Sequence, residues 1–278
     1  MKYKIVTEAS VDMPEKFAKE NDITILPIEV NFNGELYPEG LPNDEFYAKL
    51  KSTGIIPKTS QPNQYKFENA LTPYCNKEGW FVLTIVISSN LAGTIAQAKN
   101  AVDALNMKNV YICDSLITTF AEGALIMEIV KFIKEKDRQP QEVIDELERL
   151  KSKIKLIAVI NDLKYLKQGG RISGVAAALG TALNVKPIIS LEGGKVTNIA
   201  KKRGEQANLF MLDSVKNRDK SYPIYFGYSA DDDNIRKFVE KYSKELEVDP
   251  KNMEYHSIGC VVGTHAGPGC YGMVYFSK

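Results

Sequence analysis

Apolar and polar positions along this chain follow two periods in turn, and each switch between them marks the end of one element and the start of another. β-branched, apolar runs at residues 3–7, 23–30, 80–87 and 110–113 have the length and composition of buried strands. Residues 94–105 instead place Ile95, Ala98, Val102 and Leu105 at helical spacing. Residues 44–50 bring Phe46, Tyr47 and Leu50 to one face, with Asn43 as the expected cap. Pro140 opens a further helix whose Val143, Ile144, Leu147 and Leu150 form a core-packing stripe. Strands alternating with helices predict a mainly parallel sheet covered on both faces.

Beyond Lys155 the pattern changes. Strand-like runs at 154–160, 187–191, 222–228, 255–262 and 272–276 are separated by glycine-rich stretches, and Glu192-Gly193-Gly194-Lys195 reads as a hairpin turn. A helix with Ile235, Phe238, Val239 and Tyr242 aligned follows the third of these runs. The expected fold is therefore α/β with two domains: residues 1–155 as a mainly parallel sheet flanked by helices, and residues 156–278 as a mixed α/β domain. A ligand is expected in the crevice between them.

Composition narrows the functional classes. A chain of 278 residues and 31.0 kDa, 44% hydrophobic and 26% charged, can bury a sizeable core. Its 36 Lys and Arg against 35 Asp and Glu give a net charge of +1, which offers no general attraction to nucleic acid and at most a transient contact with membranes. The apolar runs are strand-sized, well below the ~18 residues of a membrane span. The N-terminal residues have no leader-like pattern, so a cytoplasmic location is expected. Cys75, Cys113, Cys260 and Cys270 form no CxxC pair, and with two histidines and no clustered carboxylates no metal site is expected.

The candidate chemistry lies in three small polar loops far apart in the chain: 59–62, 88–94 and 265–269. The second, Ser88-Ser89-Asn90-Leu91-Ala92-Gly93-Thr94, stands between a buried strand and a helix, where amides at the helix start can hold an anion. Ser and Asn before a helix are also ordinary caps, and Thr59-Ser60-Gln61-Pro62 could equally be a turn leading into the next helix. His265 is one of only two histidines and stands beside the Gly267-Pro268-Gly269 bend. Two decoys fail on context. Gly267, Gly269 and Gly272 match GxGxxG with no room for a crossover helix after them, and Gly227-Tyr228-Ser229-Ala230-Asp231 lacks the closing glycine of a nucleophile elbow, so Ser229 is expected to cap a helix.

These loops, with residues 5–14, Tyr165-Leu166-Lys167-Gln168-Gly169-Gly170-Arg171-Ile172-Ser173 and Val185-Lys186-Pro187-Ile188, occur in the order seen in the DegV family of fatty-acid-binding proteins, which the chain resembles over essentially its whole length. The resemblance implies a carrier without catalytic residues or cofactor. Such a carrier buries the acyl chain of a long-chain fatty acid, hydrogen-bonds its carboxylate and presents it to a separate ATP-dependent fatty acid kinase catalytic subunit. It assigns Thr59 a contact to the carboxylate, and places Arg171 and His265 near the headgroup and the kinase-facing surface.

The family's second contact is a serine where this chain has Ala92. Amides of Ala92 and Gly93, or hydroxyls of Ser88, Ser89 and Thr94, must then replace it, since losing a hydrogen bond to a charged group costs about 1.5–3 kcal/mol. Ser60 completes the expected ligand-binding set. The rival reading is a lipid or ester hydrolase, or an acyltransferase, with Ser88 or Ser89 as nucleophile and His265 as base, which would need an orienting acid beside the histidine. A self-sufficient kinase is not expected, because no GxxxxGK[ST] loop exists.

Overall fold

The computed structural model describes residues 1–38, 42–178 and 185–278. Strands β1 (Lys2–Glu8), β2 (Ile23–Leu26), β6 (Trp80–Val86) and β7 (Val110–Asp114) form a parallel sheet in the order β2-β1-β6-β7. Strands β3 (Glu29–Phe32), β4 (Glu35–Leu36) and β5 (Lys58–Ser60) make a small antiparallel sheet beside it. Strands β8 (Ile154–Val159), β9 (Val185–Glu192), β10 (Lys195–Arg203), β11 (Tyr225–Tyr228), β12 (Tyr255–Ser257) and β13 (Tyr271–Phe276) form a mixed sheet in the order β10-β9-β8-β13-β11-β12. The helices that matter for the site are α1 (Glu15–Glu20), α2 (Asn43–Thr53), α3 (Gln64–Leu71), α4 (Thr94–Ala104), α5 (Thr119–Glu135), α6 (Pro140–Lys153), α7 (Lys164–Gln168), α8 (Glu205–Ser214), α9 (Asp233–Lys241), α10 (Ser243–Leu246) and α11 (Cys260–Ala266). Among the described residues no helix is long and apolar enough to cross a membrane.

The parallel sheet comes from residues before 115 and the mixed sheet from residue 154 onward. Helix α5 lies between them. Every residue from Thr119 to Val130 is buried, and the helix packs on β8, β11 and β13 while sharing one apolar cluster with Leu83 and Ile85 of the parallel sheet. Buried all round over this stretch, it offers no amphipathic stripe to a periodicity search. Behind the mixed sheet a second cluster, with Phe226, Phe238 and Met273, packs α8 and α9 against the opposite face.

Four local expectations need correcting. The run 23–30 is not one strand: Pro27, which has no N–H to donate, ends β2, and β3 starts in another sheet. Asn43 does not cap α2; Pro42 occupies that position and the Asn43 amide donates to Ser257 Oγ at 3.0 Å. The run 255–262 is a strand only to Ser257, after which Gly259 N–H donates to Asp12 Oδ1 at 2.8 Å and α11 begins. Ser229 caps nothing either: its hydroxyl donates to Gly267 O at 2.7 Å and accepts from Cys270 N–H at 2.8 Å, clamping the bend after α11. The hairpin turn at 193–194 is as expected, with both glycines at positive φ.

Candidate functional site

Between the carboxyl ends of the parallel strands and the α5-facing side of the mixed sheet lies a largely apolar cavity. Its body is walled by residues such as Ile87, Leu156, Ala158, Ile160, Ile189, Leu191 and Val196. Part of its lining is polar. Thr59 on β5 and His265 in the last turn of α11 meet there, Thr59 Oγ1 lying 3.0 Å from His265 Nε2 although 206 residues separate them. The histidine thus belongs to a helix rather than to the bend beside it.

The surroundings of that pair settle where its protons sit. His265 Nδ1 is buried with no hydrogen-bond partner, and Gly169 packs so closely that a Cβ there would lie 2.1 Å from it. An N–H at Nδ1 would be a buried donor without an acceptor, the costlier arrangement, so we assign the proton to Nε2. Nε2–H then donates to Thr59 Oγ1, which leaves the threonine's own proton free to point into the cavity. Burial, and then the charge of Arg171, push the His265 pKa down to about 4, keeping the ring neutral near pH 7. This is a directed hydroxyl donor.

The loop after β6 contributes Ala92 and Thr94 to the same wall. Thr94, the first residue of α4, is fully buried, and its hydroxyl has no partner. Gly93, at φ −85°, packs against Gln61: a Cβ there would meet the Gln61 side-chain amide at 3.0 Å. Arg171 also lines the wall. Its Nε and Nη2 donate to Leu91 O at 3.0 and 2.8 Å, and its Nη1 donates to Gly169 O, so its described bonds reach carbonyls and leave its charge uncompensated by a carboxylate.

Of the residues nominated from sequence, Thr59, Ala92, Thr94, Arg171 and His265 therefore share one wall. Ser60, Ser88, Ser89 and Gly93 lie outside it. Ser88 is fully buried and its hydroxyl donates to Gly194 O at 2.8 Å, while Ser89 N–H donates to Asp114 and its side chain faces solvent. The serine–histidine pair of a hydrolase is not formed, and no carboxylate holds His265 Nδ1. Among the described residues no group of three His, Cys, Asp or Glu side chains could hold a metal ion.

Sequence reasoning passed over the acids behind this wall. Ser10 lines the cavity and its hydroxyl lies 3.0 Å from Glu8 Oε1 and 3.3 Å from Glu122 Oε2. Asp12 accepts from Thr119 Oγ1 at 2.5 Å and from Gly259 N–H. Burial raises Glu8 and Asp12 to about 7, and burial together with the Glu8 charge raises Glu122 well above the usual carboxylate range. Glu8 and Asp12 stand in the 5–14 segment; what sequence does not show is that Glu122, from the buried side of α5, faces them.

An α/β protein with a largely apolar cavity and a hydroxyl–imidazole pair on its wall is the class this architecture defines. The family model described as "Uncharacterised protein, DegV family" matches residues 2–278, and the chain belongs to that family. Protein DegV of Bacillus subtilis is 28% identical over all of both chains. A solved DegV family protein from Thermus thermophilus, described as binding fatty acid, superposes with a TM-score of 0.88 at 27% identity, each chain covered completely. The Fatty Acid Kinase B3 protein of Streptococcus pneumoniae, solved loaded with linoleic acid, shares the fold with a TM-score of 0.80 at 18% identity, again over all of both chains.

Proposed function

We propose that this protein is a cytoplasmic, non-enzymatic carrier of a long-chain fatty acid, which it presents to a separate ATP-dependent kinase subunit for conversion to the acyl phosphate. The observation that carries this reading is the cavity itself: a largely apolar space with the Thr59–His265 pair on its wall. A fatty acid needs both surroundings at once. Each buried methylene contributes about 0.8 kcal/mol, so the tail supplies most of the affinity. The carboxylate, costly to bury alone, needs donors.

Thr59, oriented by His265, gives the first donor. Thr94 gives the second, in place of the serine that Ala92 replaces, because its buried hydroxyl has no other partner and stands on the same wall. The Arg171 charge favours the anion, and it would favour the more highly charged acyl phosphate further. The fatty acids bound by the Thermus and pneumococcal proteins are consistent with this ligand class.

Solvent extraction of the purified protein followed by mass spectrometry tests the reading. A stoichiometric fatty acid is expected. Protein that carries none and takes up none from added palmitate or oleate would refute it.

A further inference from the structure

The register of the mixed sheet aligns His256, Gly227, Gly272, Ala158 and Ile189 in one row across β12, β11, β13, β8 and β9. Three adjacent small residues leave a trough in the sheet face, running across strands spaced about 4.8 Å apart. Gly272, Ala158 and Ile189 line the cavity. Gly227 does not, because the Phe120 ring lies on it: a Cβ added at Gly227 would come within 2.3 Å of Phe120 Cε1 and 2.4 Å of Cδ1. The ring is also parallel to the His256 imidazole, at 4° and 6.3 Å between centroids, and borders the cavity. It stands where the trough would otherwise continue.

We propose that Phe120 is the stop that sets the length of the bound acyl chain, held in place by the gap that Gly227 leaves beneath it. This rests on the fatty-acid reading above. The stop is rigid. Thr119, just before it, has φ +60°, a conformation that costs a β-branched residue strain, and is pinned there by its N–H to Ser10 O at 2.9 Å and its hydroxyl to Asp12. Asp12 in turn holds the start of α11 through Gly259. The backbone that carries Phe120 therefore cannot withdraw without breaking the joint between the parallel sheet and the helix that carries His265.

One further strand of trough is about 5 Å, and with C–C bonds near ~1.5 Å an extended chain advances roughly 1.3 Å per carbon, so vacating the ring makes room for about four methylenes. Full-length protein would be stripped of lipid, offered an equimolar series of saturated acids from laurate to behenate, and its retained acids measured by mass spectrometry. Phe120→Leu should move the preferred length upward. Gly227→Ala, which pushes the ring into the cavity, should move it downward, and the double variant should return toward wild type. Each methylene gained or lost is worth roughly fourfold in relative retention, so a two-methylene shift reads as a change of about tenfold or more in the ratio of long to short acids. General destabilisation would lower all lengths together and leave that ratio alone. Folded variants with the wild-type distribution, or both single variants shifting in the same direction, would overturn the assignment. If Phe120→Leu does not fold, the direction of the Gly227→Ala shift decides. Wild-type protein that retains no acid at all would instead refute the fatty-acid reading.

Discussion

Two parts of the cavity lining are built by opposite means. The mouth is made by addition: β5, the last turn of α11 and the segment after α7 bring in a hydroxyl, an imidazole and a guanidinium. The floor is made by subtraction, since Gly227, Gly272 and Ala158 leave out side chains across adjacent strands. On the proposed reading, groups added at the mouth act on the carboxylate, which every fatty acid has. A groove left in the floor acts on what differs between acids, their length and shape. The two parts should therefore be separable by experiment, with the mouth setting how tightly any acid is held and the floor setting which acid it is.

The largest test of that separation is Thr59→Val. It removes a hydrogen bond to a charged group at nearly constant volume, worth about 1.5–3 kcal/mol, so retention should fall roughly 10- to 150-fold. The fall should be the same for every chain length, while the lipid-free protein loses about 1–3 kcal/mol of stability because His265 Nε2–H is left without its acceptor. A shift in the preferred length would show that mouth and floor are not independent.

A second test uses pH, because the buried acids around Ser10 and Thr119 and the His265 imidazole are shifted in opposite directions. Burial raises Glu8 from 4.5 and Asp12 from 3.8 to about 7 in the fold, so the folded protein holds protons that the unfolded chain has released. Their stabilisation is complete below these ordinary values and is lost as pH rises through 7, with Glu122 extending the loss upward. His265, lowered from 6.5 to about 4, contributes stability above 6.5 that is lost as pH falls toward 4. Thermal unfolding measured across this range should show Glu122→Gln flattening the alkaline decline and His265→Gln flattening the acid one. If either variant flattened both limbs, the groups would not be acting separately.

The smallest expected effect is a gain. Ala92→Ser restores the hydroxyl of the family pattern beside Thr94, and a net hydrogen bond of about 0.5–1.5 kcal/mol would tighten retention roughly two- to tenfold, again equally for all lengths. No change would mean that Thr94 already saturates the headgroup.

These two parts also differ in how far they can be read from sequence. Thr59, Ala92, Thr94, Arg171 and His265 belong to short contiguous motifs, and all five stand on the cavity wall. Ser88 belongs to such a motif as well, but its hydroxyl is taken by Gly194, 106 residues away, a pairing that only the folded chain reveals. The floor leaves no contiguous trace. Its residues come from five strands and meet only through register, and the faint signal is a glycine inside a strand pattern at 227 and again at 272. Helix α5, which supplies Phe120, was invisible for a related reason: a helix buried on all sides has no polar face to set its period.

The most direct measurement is a crystal structure of the protein with a saturated fatty acid bound. The account predicts the carboxylate within hydrogen-bonding distance of Thr59 Oγ1 and Thr94 Oγ1, and the terminal methyl against the Phe120 ring with the chain running over Gly272. A carboxylate bound away from Thr59, or a tail that leaves the Gly272 trough empty, would contradict it.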